Sequence, residues 1–591
     1  MPNVSRRAIL ALSAAAPLTL PAIARAAGPA DAKFEALAKG WVDANLRLSP
    51  VSATQVGDHR FDQQIDDMGP TGRAAVIRLA TETLAALQAT PRAELSRANQ
   101  VDAAILENQV RSDLWTLQTL QPYAWDPLTW NAVAGGALYN LTAREFAPLE
   151  VRLRSATARM EKLPALLAQA RQELVPARVP KIHADTVVGQ NKGLHSLVDG
   201  IVADGAKLSA TDRARLEAAA KTCKAAIDQH QTWLETVLVP GAKGEFRLGA
   251  ALYDAKLAFA LNSPLSRAEI KARALAEMTS LRATMYDISA KFLAGKPGAP
   301  PTPANPTDAQ RQAAIEAALE YAYAQKPARA KLVEAAEATL VEATAFVRAK
   351  NIVTVPADPV KIGLVPEFQR GVAVAYCDAP GPLDKGQQTY YKISPIPDDW
   401  TAAQADSFLR EYNSLGIQEI TVHEAMPGHY LQLAHANAYP SVLRAVLSSG
   451  PFVEGWACYA QDVMAEEGYL ARDPLYLLVH LKLQLRVCAN ALLDQAVHVD
   501  NISRDEAMKL MTVQAFQQER EAAGKWVRAQ LSQAQLPTYF VGWEEHKALR
   551  KQAETKWGKS FTLKRYHDGI LSFGSPPARF AGQLLFDQPI A

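Results

Sequence analysis

The chain has 591 residues, and its 63 Lys and Arg residues nearly balance 61 Asp and Glu residues, which leaves a formal net charge of +2. Broad binding of nucleic acids needs a concentrated positive surface, and the sequence has no long basic run. Hydrophobic residues make up 49% of the chain, so a protein of this length can bury a core without a disulfide framework. The composition therefore indicates a globular protein without a nucleic-acid partner.

The N-terminus has the pattern of an export signal. Arg6 and Arg7 are followed by an apolar run from Ala8 to Leu20 and by the small-residue sequence Ala24-Arg25-Ala26. The run is shorter than the roughly 20 residues that a membrane-spanning helix needs. Residues 1–26 are predicted to be a twin-arginine-type signal peptide, with an ordinary secretory signal as the alternative. Either signal would place the mature protein in the periplasm or outside the cell, without a membrane span.

Most of the remaining chain shows the spacing of apolar residues that is typical of helices. Long helical segments are expected at 72–120, 144–176, 205–238, 264–294, 308–349 and 402–535, whereas the last fifty residues have a mixed pattern. Residues 295–307 are rich in Pro and Gly, which interrupt helices. We therefore predict an N-terminal helical lobe at 31–294, a linker at 295–307 and a C-terminal catalytic lobe at 308–591.

One segment, 351–397, favours strands over helices. Its β-branched and aromatic residues lie among Pro and Gly, which is typical of short strands or hairpins; they are Val353, Val355, Ile362, Val372, Val374, Tyr390, Tyr391 and Ile393. The predicted fold is thus all-α, that is mainly helical, with a small β element.

The four cysteines do not form a CxxC pair; they are Cys223, Cys377, Cys458 and Cys488. This spacing argues against a thiolate zinc site. A disulfide between Cys458 and Cys488 is one option in an oxidising compartment. Buried free thiols are the favoured interpretation.

The main candidate site lies in residues 421–432, where His423 is followed directly by Glu424 and six residues later by His429. Zinc binds neutral imidazole nitrogens and tolerates a carboxylate, so this combination is typical of zinc hydrolases. A Glu beside the first His can take a proton from a zinc-bound water. We predict His423 and His429 as metal ligands and Glu424 as the general base.

The spacing of the two histidines departs from the usual four residues. Residues six apart lie about 240° apart around a regular helix, so both side chains could bind one metal only if the helix were interrupted. Pro427 and Gly428 lie between them and can supply either a π-type bulge or a short unwound loop. The two residues that break the spacing therefore also explain how the site could form.

A third ligand has to come from another element. Glu454 lies in the first turn of a new helical pattern, 25 residues after His429, and a helix returning antiparallel would bring it to the metal. Three protein ligands leave one coordination position open, as catalysis requires. We predict one Zn²⁺ per chain, with Gln461 and Asp462 orienting the histidines from behind. His435 is an alternative ligand.

These motifs together resemble the DUF885 family of bacterial proteins, which is similar to zinc metallopeptidases. The resemblance rests on residues 423–432 and 454–460, and more weakly on 48–60 and on Tyr566-His567-Asp568 with Gly574-Ser575-Pro576. More distantly, the layout resembles helical peptidases such as thermostable carboxypeptidases, oligopeptidases and angiotensin-converting enzyme. That likeness implies two helical lobes around a deep channel that admits short peptides. Family members often carry Glu where this chain has Gln461.

Four further residues are candidates for contact with substrate. Tyr539 and His567 follow Glu454 in the chain much as a Tyr and a His follow the zinc-binding Glu in the related peptidases. That likeness implies that they could donate hydrogen bonds to the oxyanion of a tetrahedral intermediate. Arg486 belongs to a polar stripe on an apolar helix and could bind a peptide carboxylate, or the stripe could be a solvent-exposed face or form internal ion pairs. Tyr391 lies on a predicted strand that could pair with an extended peptide, or it could be core.

The function predicted from these residues is zinc-dependent hydrolysis of short peptides. A zinc-dependent esterase or amidase remains an alternative, because the same activated water attacks any acyl carbonyl. A non-catalytic periplasmic binding protein is the third hypothesis, and the presence of Glu424, which a purely structural zinc site does not need, argues against it.

Overall fold

The computed structural model describes residues 28–365, 375–397 and 400–590. The predicted signal at 1–26 lies outside these residues, as do Val372 and Val374 of the predicted β element. Within the described ranges the protein is mainly helical with one small sheet, which confirms the predicted fold class. No helix in these ranges combines the length and the apolar character needed to cross a bilayer.

The helices fall into three groups according to the core that they bury. The first group surrounds Phe34, Trp41 and Leu106 and comprises α1 (Pro29–Leu48), α2 (Pro50–Gln55), α3 (Pro70–Gln88) and α4 (Arg97–Trp115). The second surrounds Trp130 and Leu167 and comprises α5 (Pro127–Thr142), α6 (Leu149–Met160), α7 (Leu163–Glu173), α8 (Lys181–Asp204), α9 (Ala210–Trp233) and the single turn α10 (Val239–Gly241).

The third and largest group contains the candidate site. Most of its helices pack around Tyr253, Trp456 and Tyr476. Its members are α11 (Gly249–Leu261), α12 (Arg267–Leu293), α13 (Asp308–Tyr323), α14 (Leu332–Ala349), α15 (Ala402–Glu411), α16 (Ser414–Glu424), α17 (His429–Ala436), α18 (Val442–Val446), α19 (Gly450–Glu466), α20 (Pro474–His498), α21 (Arg504–Lys509), α22 (Glu519–Leu531), α23 (Pro537–Trp557), α24 (Leu563–Leu571) and α25 (Ala578–Leu585).

The division between cores does not coincide with the Pro- and Gly-rich segment 295–307. That segment joins α12 to α13, and both helices bury residues in the third core. The change of core lies between Ala242 and Phe246. A helix's apolar face shows that it packs against something but not against which helix, so periodicity alone could not assign α11 and α12 to the C-terminal core.

The structure also contains helices that the sequence pattern did not indicate. Helices α8 and α11 lie between the predicted segments, and α24 and α25 occupy the C-terminal stretch that was expected to be mixed. The last two have only nine and eight residues, that is, little more than two turns each. Tertiary packing stabilises such short helices, which are marginal in isolation.

The predicted β element forms a three-stranded sheet. Its strands are β1 (Lys361–Leu364), β2 (Ala375–Asp378) and β3 (Tyr390–Ile393), in the order β1-β3-β2. Strand β3 pairs parallel with β1 and antiparallel with β2, with Cys377 opposite Tyr391. The strand that carries Tyr391 is therefore hydrogen bonded on both edges, and β2 is an outer strand.

Helix α20 is buried over most of its length, and two residues of its polar stripe have close partners inside the protein. Lys482 Nζ lies 2.8 Å from Glu411, and Tyr253 donates a hydrogen bond of 2.6 Å to Asp494. The interpretation of the stripe as internal pairs is thus confirmed for these residues. All four cysteines are free; Cys223, Cys458 and Cys488 are buried, as the favoured interpretation predicted, whereas Cys377 is half-buried.

Candidate metal centre

The helix that carries His423 is interrupted before His429. Helix α16 ends at Glu424, a cis peptide bond joins Met426 to Pro427, and α17 begins at His429. Within this link, the backbone N–H of Gly428 donates to the carbonyl of Val422 at 2.9 Å. The predicted interruption is confirmed, and it takes the form of a short non-helical link.

Gly428 is required in this link because the backbone passes close to the preceding turn. A Cβ atom at position 428 would lie 1.9 Å from the carbonyl oxygen of His423. The close approach brings the two imidazoles together, with ring centroids 4.8 Å apart and ring planes at 84°. Any larger residue at 428 would therefore force the link or the end of α16 to move.

Glu454 approaches both histidines from α19. Its Oε2 lies 3.4 Å from His429 Nε2 and 3.7 Å from His423 Nε2. The prediction had placed Glu454 in the first turn of its helix, whereas α19 begins at Gly450, so Glu454 follows that turn. The predicted ligand set is therefore assembled from three helices, α16, α17 and α19.

The three side chains fit a zinc ion. One ligand atom from each lies within 4.8 Å of the others, and tetrahedral zinc with ordinary bond lengths holds its donor atoms about 3.3 Å apart. The buried Glu454 Oε2 has no hydrogen-bond partner among the described residues, although two imidazole nitrogens face it. A cation between them would satisfy all three groups.

The charge state of Glu454 suits a ligand. Burial opposes its ionisation, yet His423 and His429 lower the pKa of the carboxyl well below its ordinary range. A ligand carboxylate has to be deprotonated, so Glu454 is ready to bind a cation at neutral pH.

Glu424 lies beside the ligands but is not one of them. Its Oε2 accepts the backbone N–H of Cys377, on β2, at 2.9 Å. Burial, the largest cause, and the Glu454 carboxylate together raise the pKa of Glu424 to about 7, against the opposing effects of His423 and of the Cys377 N–H. Because Cys377 uses its N–H for this contact, β2 holds the carboxylate against the cavity that both residues line.

A buried polar network lies behind His423. Gln461 donates hydrogen bonds to the carboxylate and the backbone carbonyl of Glu419, at 2.9 and 3.2 Å. This fixes the amide so that Gln461 Oε1 faces His423 Nδ1, at 3.4 Å. An Nδ1–H tautomer leaves the Nε2 lone pair of His423 free to bind a metal, which agrees with the orienting role predicted for Gln461.

Asp462 belongs to the same network, but it contacts His480 and not His423. His480 lies between Glu419 and Asp462, at 3.3 and 3.2 Å. Burial opposes protonation of His480, but these two carboxylates raise its pKa to about 10. Sequence reasoning missed Glu419 and His480. The available signals were a Glu one helical turn before His423 and a His within an apolar helix.

Replacing Gln461 by Leu should weaken zinc binding while leaving the fold intact. Loss of the acceptor for His423 Nδ1 frees the ring and its tautomer, and such outer partners are worth about 10–100-fold in metal affinity. Competition titration with a chromogenic chelator measures the affinity. Gln495→Leu is the control, because Gln495 is also buried and its side chain donates to the Ala491 carbonyl, away from the ligand cluster. Equal zinc affinity in both variants would contradict the orienting role.

Tyr539 is close to the ligands, as predicted. Its ring lies against that of His423, with centroids 6.5 Å apart at 20°, and it lines the cavity. Burial raises the pKa of Tyr539 to about 12, so the hydroxyl stays protonated. The position depends on a tight crossing of α19 and α23, where a Cβ on Gly455 would lie 2.2 Å from the backbone of Gly542.

His567 does not reach the cavity, which corrects its predicted contact with substrate. The side chain is 1% exposed; its Nε2 lies 2.8 Å from the Tyr459 hydroxyl, and its Nδ1 lies 2.8 Å from the Ile352 carbonyl. Burial lowers the pKa of His567 to about 3. The ring therefore packs in the core as a neutral residue with both nitrogens satisfied.

Tyr391 and His435 are also placed away from the site. Tyr391 is 2% exposed, and its hydroxyl lies 3.4 Å from Thr421 Oγ1, so it belongs to the core and not to a peptide-binding strand. His435 contacts the Thr354 carbonyl at 2.8 Å and is not part of the ligand cluster. Strand β2 replaces β3 at the cavity wall, because the sheet order leaves β2 on the outside.

The ligand cluster opens into a cavity of about 820 Å³. Its wall includes Arg486, as predicted, but this guanidinium already pairs with Glu521 at 2.5 Å. The remaining wall comes mainly from β2 and from helices α15, α16, α19, α20 and α22.

The comparisons with known proteins extend over nearly the whole chain. The family model described as "Bacterial protein of unknown function (DUF885)" matches residues 50–584. A solved structure from Shewanella oneidensis, described as a candidate lipoprotein of unknown function, is 33% identical with a TM-score of 0.79; the match covers 94% of this chain and 99% of that one. A candidate lipoprotein from Colwellia psychrerythraea, 17% identical, has a TM-score of 0.76 and the same coverage.

No curated protein matches the chain. The family match spans most of the sequence. The Shewanella oneidensis protein is similar to this chain in both sequence and fold over almost the full length of that protein. The protein therefore belongs to the DUF885 family of bacterial proteins.

Proposed function

We propose that this protein is a zinc-dependent peptidase that hydrolyses short peptides. One observation carries the proposal: His423, His429 and Glu454 converge at the wall of a large cavity, and Glu424 lines the same wall without joining the ligand cluster. A purely structural zinc site has no need for an additional carboxylate or for an adjoining cavity.

Each residue has a distinct part in this chemistry. Zinc held by the three ligands would supply a Lewis acid that polarises the scissile carbonyl and lowers the pKa of the attacking water. Glu424 accepts the proton that the water loses and delivers it to the departing amine nitrogen. The Cys377 N–H holds the carboxylate in place for both transfers. Tyr539, protonated and beside His423, donates a hydrogen bond to the oxygen that gains negative charge.

The shape of the site favours short substrates. A cavity of about 820 Å³ is within the range of about 300–1,000 Å³ that holds small ligands. A few amino-acid residues fill such a volume, whereas a folded protein cannot enter it. The outer edge of β2 adjoins Glu424, so backbone groups are available there to align an extended peptide.

Export of the protein is part of the proposal. Arg6, Arg7 and the apolar run after them have the form of a twin-arginine signal, and both solved relatives are described as candidate lipoproteins. We infer that the enzyme acts on peptides in the periplasm or outside the cell.

Metal analysis together with a peptide digest tests the function. The purified mature protein is expected to contain one zinc per chain by plasma mass spectrometry and to cut a mixed library of short peptides. Chelation should abolish cleavage, and added zinc should restore it. Turnover of small esters without any peptide cleavage would overturn the peptidase in favour of an esterase. Bound zinc without any turnover would favour a binding protein.

A further inference from the structure

One wall of the cavity carries an excess of positive charge. Helix α22 contributes Lys525 and Arg528, and α20 contributes Arg486. Among the described residues, the carboxylate closest to Lys525 is that of Glu521, one helical turn before it on α22. We call Arg486, Lys525 and Arg528 the basic wall.

Glu521 is already engaged by other partners. Its Oε1 lies 2.5 Å from Arg486 Nη2, and its Oε2 accepts a hydrogen bond from the Tyr412 hydroxyl at 2.9 Å. The neighbouring Glu411 is paired with Lys482 at 2.8 Å. Two carboxylates thus neutralise two cations, and neither makes a close pair with Lys525 or Arg528.

Lys525 is the residue of the basic wall that lacks a close hydrogen-bond partner among the described residues. Its side chain is only 4% exposed, and its nearest carboxylate oxygen, on Glu521, is 3.7 Å away. That distance is too long for a hydrogen bond, and burial together with the charge of Arg486 lowers the pKa of Lys525 to about 7. An ammonium buried without a hydrogen-bond acceptor among the described residues is costly, and a bound anion would supply that acceptor.

The basic wall adjoins the metal centre through one residue. Arg528 Nη2 lies 3.4 Å from the Tyr539 hydroxyl, and the Tyr539 ring lies against His423. Arg528 also donates to Gln535 at 2.7 Å, which holds its guanidinium towards this side. An anionic group bound by the wall would therefore lie on the Tyr539 side of the ligand cluster.

We propose that the basic wall binds a substrate carboxylate, namely the terminal carboxylate of a peptide, so that the enzyme acts near the C-termini of short peptides. Arginine and lysine are the side chains that recognise carboxylates, and a free C-terminus is a carboxylate that every linear peptide has. The inference rests on the proposed peptidase function for cleavage, but binding of the carboxylate can be measured independently.

Binding measurements test the proposal directly. The zinc-loaded Glu424→Gln protein is titrated by calorimetry with N-acetyl-trialanine, its C-terminal amide, and N-acetyl-Ala-Ala-Glu amide, which carries its carboxylate on a side chain. The acid is expected to bind about tenfold to a hundredfold more tightly than either amide. Lys525→Met should remove this preference, whereas Lys525→Arg should keep it. Lys509→Met is the control, because Lys509 is exposed and outside the cavity.

The outcomes separate this inference from the proposed function. Equal binding of acid and amide by a folded, zinc-loaded protein would overturn the basic wall as a carboxylate site. Equal binding of the glutamate amide and the free acid would overturn the assignment to the C-terminus. Preference for the acid without cleavage of any peptide by the wild type would uphold the wall and overturn the peptidase. Cleavage of acids and amides at equal rates would uphold the peptidase and overturn the basic wall as a carboxylate site.

Discussion

The Glu424→Gln variant is expected to bind zinc normally and to lose peptide hydrolysis by about a hundredfold to ten-thousandfold in kcat, the usual contribution of a general base. Glu424 is outside the ligand cluster, so its amide leaves the metal site assembled. The amide oxygen can still accept the Cys377 N–H, which preserves the geometry while removing proton acceptance. Zinc content by mass spectrometry and steady-state kinetics on a cleaved peptide measure the two effects.

Glu519→Gln is the control for the loss of a carboxylate at position 424. Glu519 is exposed at the start of α22 and does not line the cavity, so Glu519→Gln should retain full activity. Wild-type turnover in Glu424→Gln would refute the base mechanism. Loss of zinc from that variant would show instead that Glu424 belongs to the ligand set.

The Gly428→Ala variant is expected to lose stoichiometric zinc. The added methyl group would lie 1.9 Å from the carbonyl oxygen of His423, so either the link or α16 has to move. Forced overpacking of this kind costs about 1–3 kcal/mol, and the displacement separates His423 from His429. Zinc per chain after dialysis and the melting temperature of the metal-free protein measure the effects.

Gly200→Ala is the control for that substitution. Gly200 lies within α8, and no neighbouring group lies within 4 Å of the position that an alanine methyl would occupy there. Alanine should therefore stabilise the helix by up to about 1 kcal/mol without changing the zinc content. If Gly428→Ala still binds one zinc per chain, the close approach at the link is not what positions His429.

The ligand set could be predicted because its chemistry is local and restrictive. Few residue types bind zinc, and His423, Glu424 and His429 lie within seven residues of one another. The interruption at Pro427 and Gly428 was equally visible, since both residues disfavour a continuous helix for stereochemical reasons. Glu454 followed from the need for a third ligand on a returning helix.

The predictions for His567 and Tyr391 failed because sequence does not show which way a side chain faces. Both residues have the chemistry to contact a substrate, yet both are buried with their polar atoms satisfied by neighbours distant in sequence. Arg486 lines the cavity, but it is paired with Glu521, which leaves Lys525 as a cation without a close carboxylate partner. This arrangement of charges depends on the packing of helices from separate parts of the chain.

The sequence by itself determined the helical class, the small β element and the broken helix between His423 and His429, and it identified the candidate ligand residues. These properties follow from periodicity, stereochemistry and coordination chemistry, all of which act over short stretches of chain. Only the tertiary structure decided that α11 and α12 join the C-terminal core, that β2 rather than β3 faces Glu424, and that a basic wall adjoins Tyr539. These depend on burial and on contacts between distant segments, which no local pattern encodes.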